Sequence, residues 1–299
     1  MTAPARGIVQ SLTAPVDGGE LAVTRWPGDG PTVIALHGIT ANSLAFTAVA
    51  EALPDADVYA PDLRGRAASA VLPGPYGLTA HVRDTLALLD HLGQRQAVLL
   101  GHSMGAFVAA LAAARHPERF PRVVLVDGGL GFPAPSGTDI DELLQAVIGP
   151  AMDRLSMIFE DREAYLEFFR AHPAFTPHWS TDLAAYVDRD LTGRSPELRS
   201  SCVLDAVRAD GADVLGDAET LAAIHQPHVH GTLLWAERGL LDEPQALYDP
   251  GRIAEAALDP GRMPARRIAG TNHYSILFPP AAREVATAVR AAAHTAGGR

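Results

Sequence analysis

Lysine is absent: all 24 basic residues of the 299-residue sequence are arginine. This excludes Schiff-base catalysis on a lysine amine and the phosphate-binding loop that depends on one. Cysteine occurs once, at Cys202, so no intrachain disulfide can form and a reducing compartment is the expected setting. Long apolar runs are missing too. The most apolar stretch, residues 104–114, is cut by Arg115, well short of the roughly 18 residues a membrane-spanning helix needs. Residues 1–20 carry one arginine and no continuous apolar segment, so neither a signal peptide nor membrane attachment is expected, and the expected localisation is cytoplasmic. Basic charge is scarce as well: 24 basic against 35 acidic residues give a net charge of −11. That balance opposes contact with phosphate backbones, and nucleic acid is not an expected partner.

The remaining composition, 47% hydrophobic and 20% charged, is that of a globular protein with a full core. At roughly 100–200 residues per domain, the length allows two domains or one large domain with an insertion. Short apolar or β-branched runs at 21–26, 32–36, 57–60, 97–100 and 123–126 are bounded by Gly, Pro or Asp and read as strands. Between them, 78–92 and 104–116 carry apolar residues at three- and four-residue spacing and read as helices. Such alternation predicts an α/β fold, a mainly parallel sheet flanked by helices. From 132 to 226 strand-like runs are scarce and helical ones (139–148, 162–171, 181–191) dominate; strands return at 231–235 and 266–269, before a final helix near 281–293. The expected division is a core of 1–131 and 228–299 with a helical cap inserted at 132–227.

The run Gly101-His102-Ser103-Met104-Gly105 sits directly between a predicted strand and a predicted helix. A turn that tight requires positions two before and two after the serine to lack side chains, and it holds the serine strained with its hydroxyl exposed. The following helix aims its N-terminal N–H groups at the same place, where an anion formed on attack would be stabilised. A serine hydroxyl needs a base, most often histidine, oriented by a third group. Twelve histidines are available, and His273 lies between the last strand and the last helix, the position of the base that the resemblance described below implies. His225, His228 and His230 have ligand-like spacing but fall at a strand entry, away from the carboxyl ends where ligands bind, so no metal site is expected.

With these motifs the sequence resembles the α/β-hydrolase fold family, in its esterase, lipase and C–C hydrolase branch, over about 21–127 and 230–294. The resemblance implies that Ile39 N–H, after His37-Gly38, and Met104 N–H form the oxyanion hole. It implies that His37 and His102 brace backbone and shape the pocket. The run Pro61-Asp62-Leu63-Arg64-Gly65-Arg66 resembles the family's Asp-x-Arg-Gly turn, with Ala67 where a second glycine is usual and with Asp62 and Arg64 bracing loops. One departure concerns the acid. After strand 231–235 most relatives carry Gly-x-x-Asp, whereas this chain reads Ala236-Glu237-Arg238-Gly239. The first candidate for the missing acid is Asp127, at the end of the strand that follows the nucleophile helix; the second is Asp242, reachable if loop 239–243 bulges.

The insertion is rich in bulky side chains, and Phe132, Met157, Phe159, Phe168 and Trp179, with Tyr274 from the histidine loop, are expected to contribute to substrate binding alongside His37 and His102. The acidic residues of the cap are expected to form its solvated face. An aromatic cavity suits a small hydrophobic acyl, aryl or lactone substrate. The expected function is therefore a serine hydrolase cleaving a carboxylic ester or lactone through Ser103, His273 and Asp127, without metal or organic cofactor. Two rivals remain, a C–C bond hydrolase of the same fold and a ligand receptor that retains the triad but turns over slowly.

Overall fold

Strands too apolar to face water on either side form the middle of the molecule. The computed structural model describes residues 8–131 and 139–296. The order is β1 (Gln10–Val16), β2 (Gly19–Trp26), β3 (Thr32–Leu36), α1 (Thr47–Glu51), β4 (Asp57–Pro61), α2 (Leu78–His91), β5 (Val98–His102), α3 (Met104–Arg115) and β6 (Arg122–Val126). An inserted region follows, with α4 (Ile140–Ser156), α5 (Arg162–Arg170), α6 (Thr181–Asp188), β7 (Leu191–Arg194), β8 (Glu197–Ser200), α7 (Leu204–Gly216) and α8 (Ala218–Ala222). The chain then completes the core with β9 (Gly231–Ala236), α9 (Pro250–Glu255), β10 (Ala265–Ile268) and α10 (Ala282–Ala296).

Eight strands form one sheet in the order β1-β2-β4-β3-β5-β6-β9-β10. Strand β2 runs antiparallel to both neighbours, and every other pairing from β4 to β10 is parallel. On one face Leu88 of α2 and Phe107 and Leu111 of α3 join the sheet's core, and on the other Val49 of α1 and Val285 and Val289 of α10 do so. Burial on both faces is why β5 and β6 read as continuous apolar runs rather than alternating ones. Among the described residues no helix is long and apolar enough to cross a membrane.

The sequence expectation missed two features. Strand β1 buries only Ala14 fully, so it carried no apolar signal, and it exists because β2 offers a complete ladder to pair with. The inserted region also contains a hairpin, β7–β8, whose strands are short and largely exposed. Two of the cap's acidic residues do more than solvate a face: Asp139 and Asp161 accept hydrogen bonds from N–H groups in the first turns of α4 and α5.

The second half of the insertion is fastened to the core through the loop after β4. Buried Asp62 accepts from Ser43 N–H at 2.9 Å and pairs with Arg189 at 2.7 Å. Gly65 C=O accepts from Val203 N–H at 2.9 Å, Ala67 N–H donates to Ser201 Oγ at 3.0 Å, and Arg66 pairs with Asp210 of α7. Arg64 instead braces the core, pairing with Asp84 at 2.8 Å. Ala67 has φ 45°, the left-handed region that a glycine would fill without strain.

Candidate active site

Ser103 sits between β5 and α3 with φ 54° and ψ −123°. The two flanking glycines make this possible. A Cβ on Gly101 would lie 2.2 Å from Gly105 O, and one on Gly105 would lie 1.9 Å from Leu36 O. Ser103 N–H donates to Val126 O at 2.9 Å, pinning the turn to the end of β6. The first N–H groups of a helix have no acceptor within it, so those of α3, starting with Met104, open toward the serine.

One residue beyond β6, Asp127 is fully buried. Its Oδ2 accepts from His273 Nδ1 at 2.7 Å, and its Oδ1 accepts from Ala236 N–H at 2.9 Å. A carboxylate can only accept, so the His273 proton sits on Nδ1 and Nε2 is left with a lone pair. Asp242 lies elsewhere. Its carboxylate accepts from Asn272 Nδ2 at 3.1 Å and pairs with Arg238 at 3.0 Å. Loop 239–243 thus fixes the neighbour of His273 rather than the ring.

His102 and His37 support the backbone on either side. His102 Nε2 donates to the carbonyl of His273 at 2.8 Å, with ring centroids 4.7 Å apart. Burial pushes its pKa well below the usual histidine value, reinforced by the neighbouring His273. His37 Nε2 accepts from Leu63 N–H at 2.9 Å, so its proton is on Nδ1 and is donated to Gly38 C=O at 2.8 Å. Gly38 C=O and Ile39 N–H belong to one planar peptide group; His37 therefore fixes the direction of the Ile39 N–H. Burial lowers the His37 pKa from 6.5 to about 4.

The sign of this shift yields a prediction. Below pH 6.5 the unfolded chain protonates a histidine that the folded chain keeps neutral, so stability falls as pH falls toward 4. His37 alone contributes a loss of about 3 kcal/mol over that window. Urea midpoints measured at pH 7.5, 6 and 5 are expected to decline steadily; an unchanged midpoint would show that His37 is not held neutral.

Three adjoining cavities lie about the site, and two of them are lined by Ser103. An inner one of about 50 Å³ is lined by Met104, Phe107, Leu144, Val214 and Leu215 together with Ser103, Asp127 and His273. A middle one of about 40 Å³ lies between Ile39, His102, Ser103, Tyr186, His273 and Tyr274. An outer one of about 200 Å³ is more polar, with Arg154, His172, Asp190 and Glu243 beside Phe168, Tyr186 and Tyr274. Ile148 and Leu240 line all three. Ile148 stands where α4 leaves helical geometry, two residues before Pro150.

Among the side chains expected to bind substrate, His102, Phe168 and Tyr274 line these cavities. Others do not. His37 is buried behind the Gly38 peptide and braces it. Phe159 packs inside the cap against Tyr165 and Leu166, and it carries the bridge to Leu198. Met157 is 37% exposed on the cap surface, and Trp179 lines a separate groove beside Leu44 and Pro177. An amphipathic cap needs its own core, and single-sequence periodicity does not distinguish that core from a pocket wall. Phe132 lies outside the described residues. Lining residues that went unanticipated include Ile148, Arg154 and Leu240; of these three only Ile148, close to a helix-interior proline, carried any signal.

The lone Cys202 is half-buried near Asp190, and desolvation with that charge raises its thiol pKa to about 12, so it stays protonated. No group of three His, Cys, Asp or Glu among the described residues could hold a metal ion; His228 instead donates to the Ala114 carbonyl at 2.8 Å.

Residues 31–188 match the family model described as alpha/beta hydrolase fold. The chain belongs to the α/β-hydrolase fold family. It is 30% identical over 191 residues to N-formylmaleamate deformylase of Pseudomonas putida, covering 60% of this chain and 71% of that one. It is 33% identical over 130 residues to lipase LipV of Mycobacterium tuberculosis, covering 43% of this chain and 48% of that one, so it spans about half the length of that relative. The crystal structure of E-2-(acetamidomethylene)succinate hydrolase superposes with a TM-score of 0.76 over 95% of this chain and 100% of that one, at 22% identity.

Proposed function

We propose that this α/β-hydrolase is a serine esterase or lactonase acting on a small, uncharged substrate with a hydrophobic acyl or aryl group. The observation that carries the reading is the buried 2.7 Å contact between Asp127 and His273, in a cavity shared with a serine held at φ 54°. Ser103 Oγ attacks the carbonyl carbon while its proton passes to His273 Nε2. The tetrahedral oxyanion is held by the Ile39 and Met104 N–H groups. Collapse expels the alkoxide, which takes the proton back from Nε2. Water, deprotonated by the same nitrogen, then attacks the acyl-enzyme; Ser103 Oγ is expelled and takes that proton from Nε2 as the acid leaves.

Charge at the site favours an uncharged substrate. Arg154, the basic residue of the outer cavity, is paired with Asp190, so it offers no net charge to a carboxylate. Glu243 on the same wall would repel one. In this respect the site differs from what the names of the deformylase and the succinate hydrolase imply for their acidic substrates, and it suits the esters implied by a lipase. The test is a panel of p-nitrophenyl esters and lactones, with phosphonate labelling of Ser103. Ser103→Ala is expected to lose at least about 10³-fold in kcat and all labelling. Tight ligand binding that survives Ser103→Ala, without turnover by the wild type, would identify a receptor instead.

A further inference from the structure

The cap and the oxyanion loop are joined by a buried side-chain relay. Arg66 and Asp210 are both fully buried, one in the loop after β4 and the other on α7 of the insertion. Arg66 Nε donates to the carbonyl of Ile39 at 2.9 Å, its Nη1 donates to Arg64 O at 2.9 Å, and the same Nη1 pairs with Asp210 Oδ2. Asp210 is itself held, by Gly77 N–H on Oδ1 and by His81 Nε2 on Oδ2, each at 2.9 Å. The other guanidinium nitrogen, Nη2, is buried and has no partner among the described residues. Burying a charged group with an unsatisfied donor costs stability. If filling space were the only requirement, an apolar side chain of the same volume would serve better.

What Arg66 holds explains its presence. The peptide before the Ile39 Cα is fixed by His37 Nδ1 and Ala41 N–H, which both bond Gly38 C=O, at 2.8 and 3.1 Å. The peptide after it is fixed by Arg66 on Ile39 C=O. With both flanking peptide planes held, the Ile39 N–H has one direction, as a donor must if it is to stabilise an oxyanion without reorganising. We propose that Asp210 and Arg66 are positioning residues: the cap, through Asp210, holds the guanidinium that sets the Ile39 oxyanion donor, so the hole is complete only with the cap seated. The proposal rests on the reading of Ser103 as the nucleophile of an ester or lactone hydrolase.

The test compares Arg66→Met, Asp210→Asn, the double variant and Arg189→Gln, the last weakening the separate cap contact to Asp62. The readouts are kcat and KM on a p-nitrophenyl ester, inhibition by phenylboronic acid, and hydrogen exchange of peptides spanning residues 37–41. Arg66→Met and Asp210→Asn are each expected to lower kcat about 10- to 100-fold, somewhat less than outright loss of a donor, with KM within about twofold. Boronate affinity should fall by the same factor, and exchange at 37–41 should accelerate. The double variant removes the unpaired charge and is expected to regain stability without regaining rate; Arg189→Gln should leave kcat and 37–41 exchange unchanged. Rates within twofold of wild type in both single variants, or losses matched by Arg189→Gln, would overturn the proposal. If the wild type lacks Ser103-dependent turnover, the functional reading fails on its own. Exchange at 37–41 then decides the relay, and unchanged exchange refutes it.

Discussion

Asp127→Asn is expected to lower kcat by about 10³- to 10⁴-fold while leaving the protein folded. The asparagine carbonyl can still accept from Ala236 N–H, as Oδ1 does now, so the end of β9 stays tied. The amide nitrogen, however, would face His273 Nδ1 as a donor. His273 would then carry its proton on Nε2, where it cannot accept one from Ser103. Asp242→Asn should change kcat by less than about threefold, because its contacts are with Asn272 and Arg238 and the catalytic ring is not among them. Steady-state kinetics on one good ester, with melting curves for both variants, separates the two carboxylates. A large loss at Asp242 with little at Asp127 would reverse the assignment.

Arg154→Met is expected to be the most damaging single change to stability in the cap. Its guanidinium is buried, donates to Tyr165 Oη at 2.8 Å and pairs with Asp190. Asp190 also accepts from Tyr165 Oη, from Ser200 Oγ at 2.8 Å and from Ser201 Oγ at 2.8 Å. Burial alone would favour a neutral arginine; the charge of Asp190 outweighs it and keeps Arg154 protonated. Methionine at 154 leaves the carboxylate buried with hydroxyl donors only, at a cost of about 3–5 kcal/mol. For a chain of this size that corresponds to a fall of about 5–8 °C in Tm. Replacing both partners, Arg154→Met with Asp190→Leu, should recover much of it. Calorimetry on the three proteins tests this, and a single-variant loss below about 1 kcal/mol would mean the carboxylate finds water.

The catalytic half of the molecule was legible because tight geometry forces residue type. Gly101 and Gly105 have backbone carbonyls where a Cβ would go, so the turn around Ser103 announces itself in any sequence that forms it. The replacement of the usual acid by Gly239 was equally visible, and it directed attention to Asp127. The choice between Asp127 and Asp242 was not legible, since both keep the chain order and only the path of loop 239–243 decides. The cap was harder still. Phe159 and Phe168 lie nine residues apart in the same aromatic cluster, yet only Phe168 reaches a cavity wall. Strand β1 and the β7–β8 hairpin left no pattern because they bury little. The role of Arg66 was not legible: a contact across 144 positions, as to Asp210, has no local signature.

The contacts between the loop after β4 and residues 189–210 bear on how such proteins exchange lids. A chimera that grafted a foreign insertion at 132–227 would cut away Arg189, Ser201, Val203 and Asp210 while leaving their receptors Asp62, Gly65, Arg66 and Ala67 behind. The insertion and the loop that receives it therefore form one packing unit. Recombination that moves both together should yield folded progeny far more often than recombination at the insertion boundaries alone.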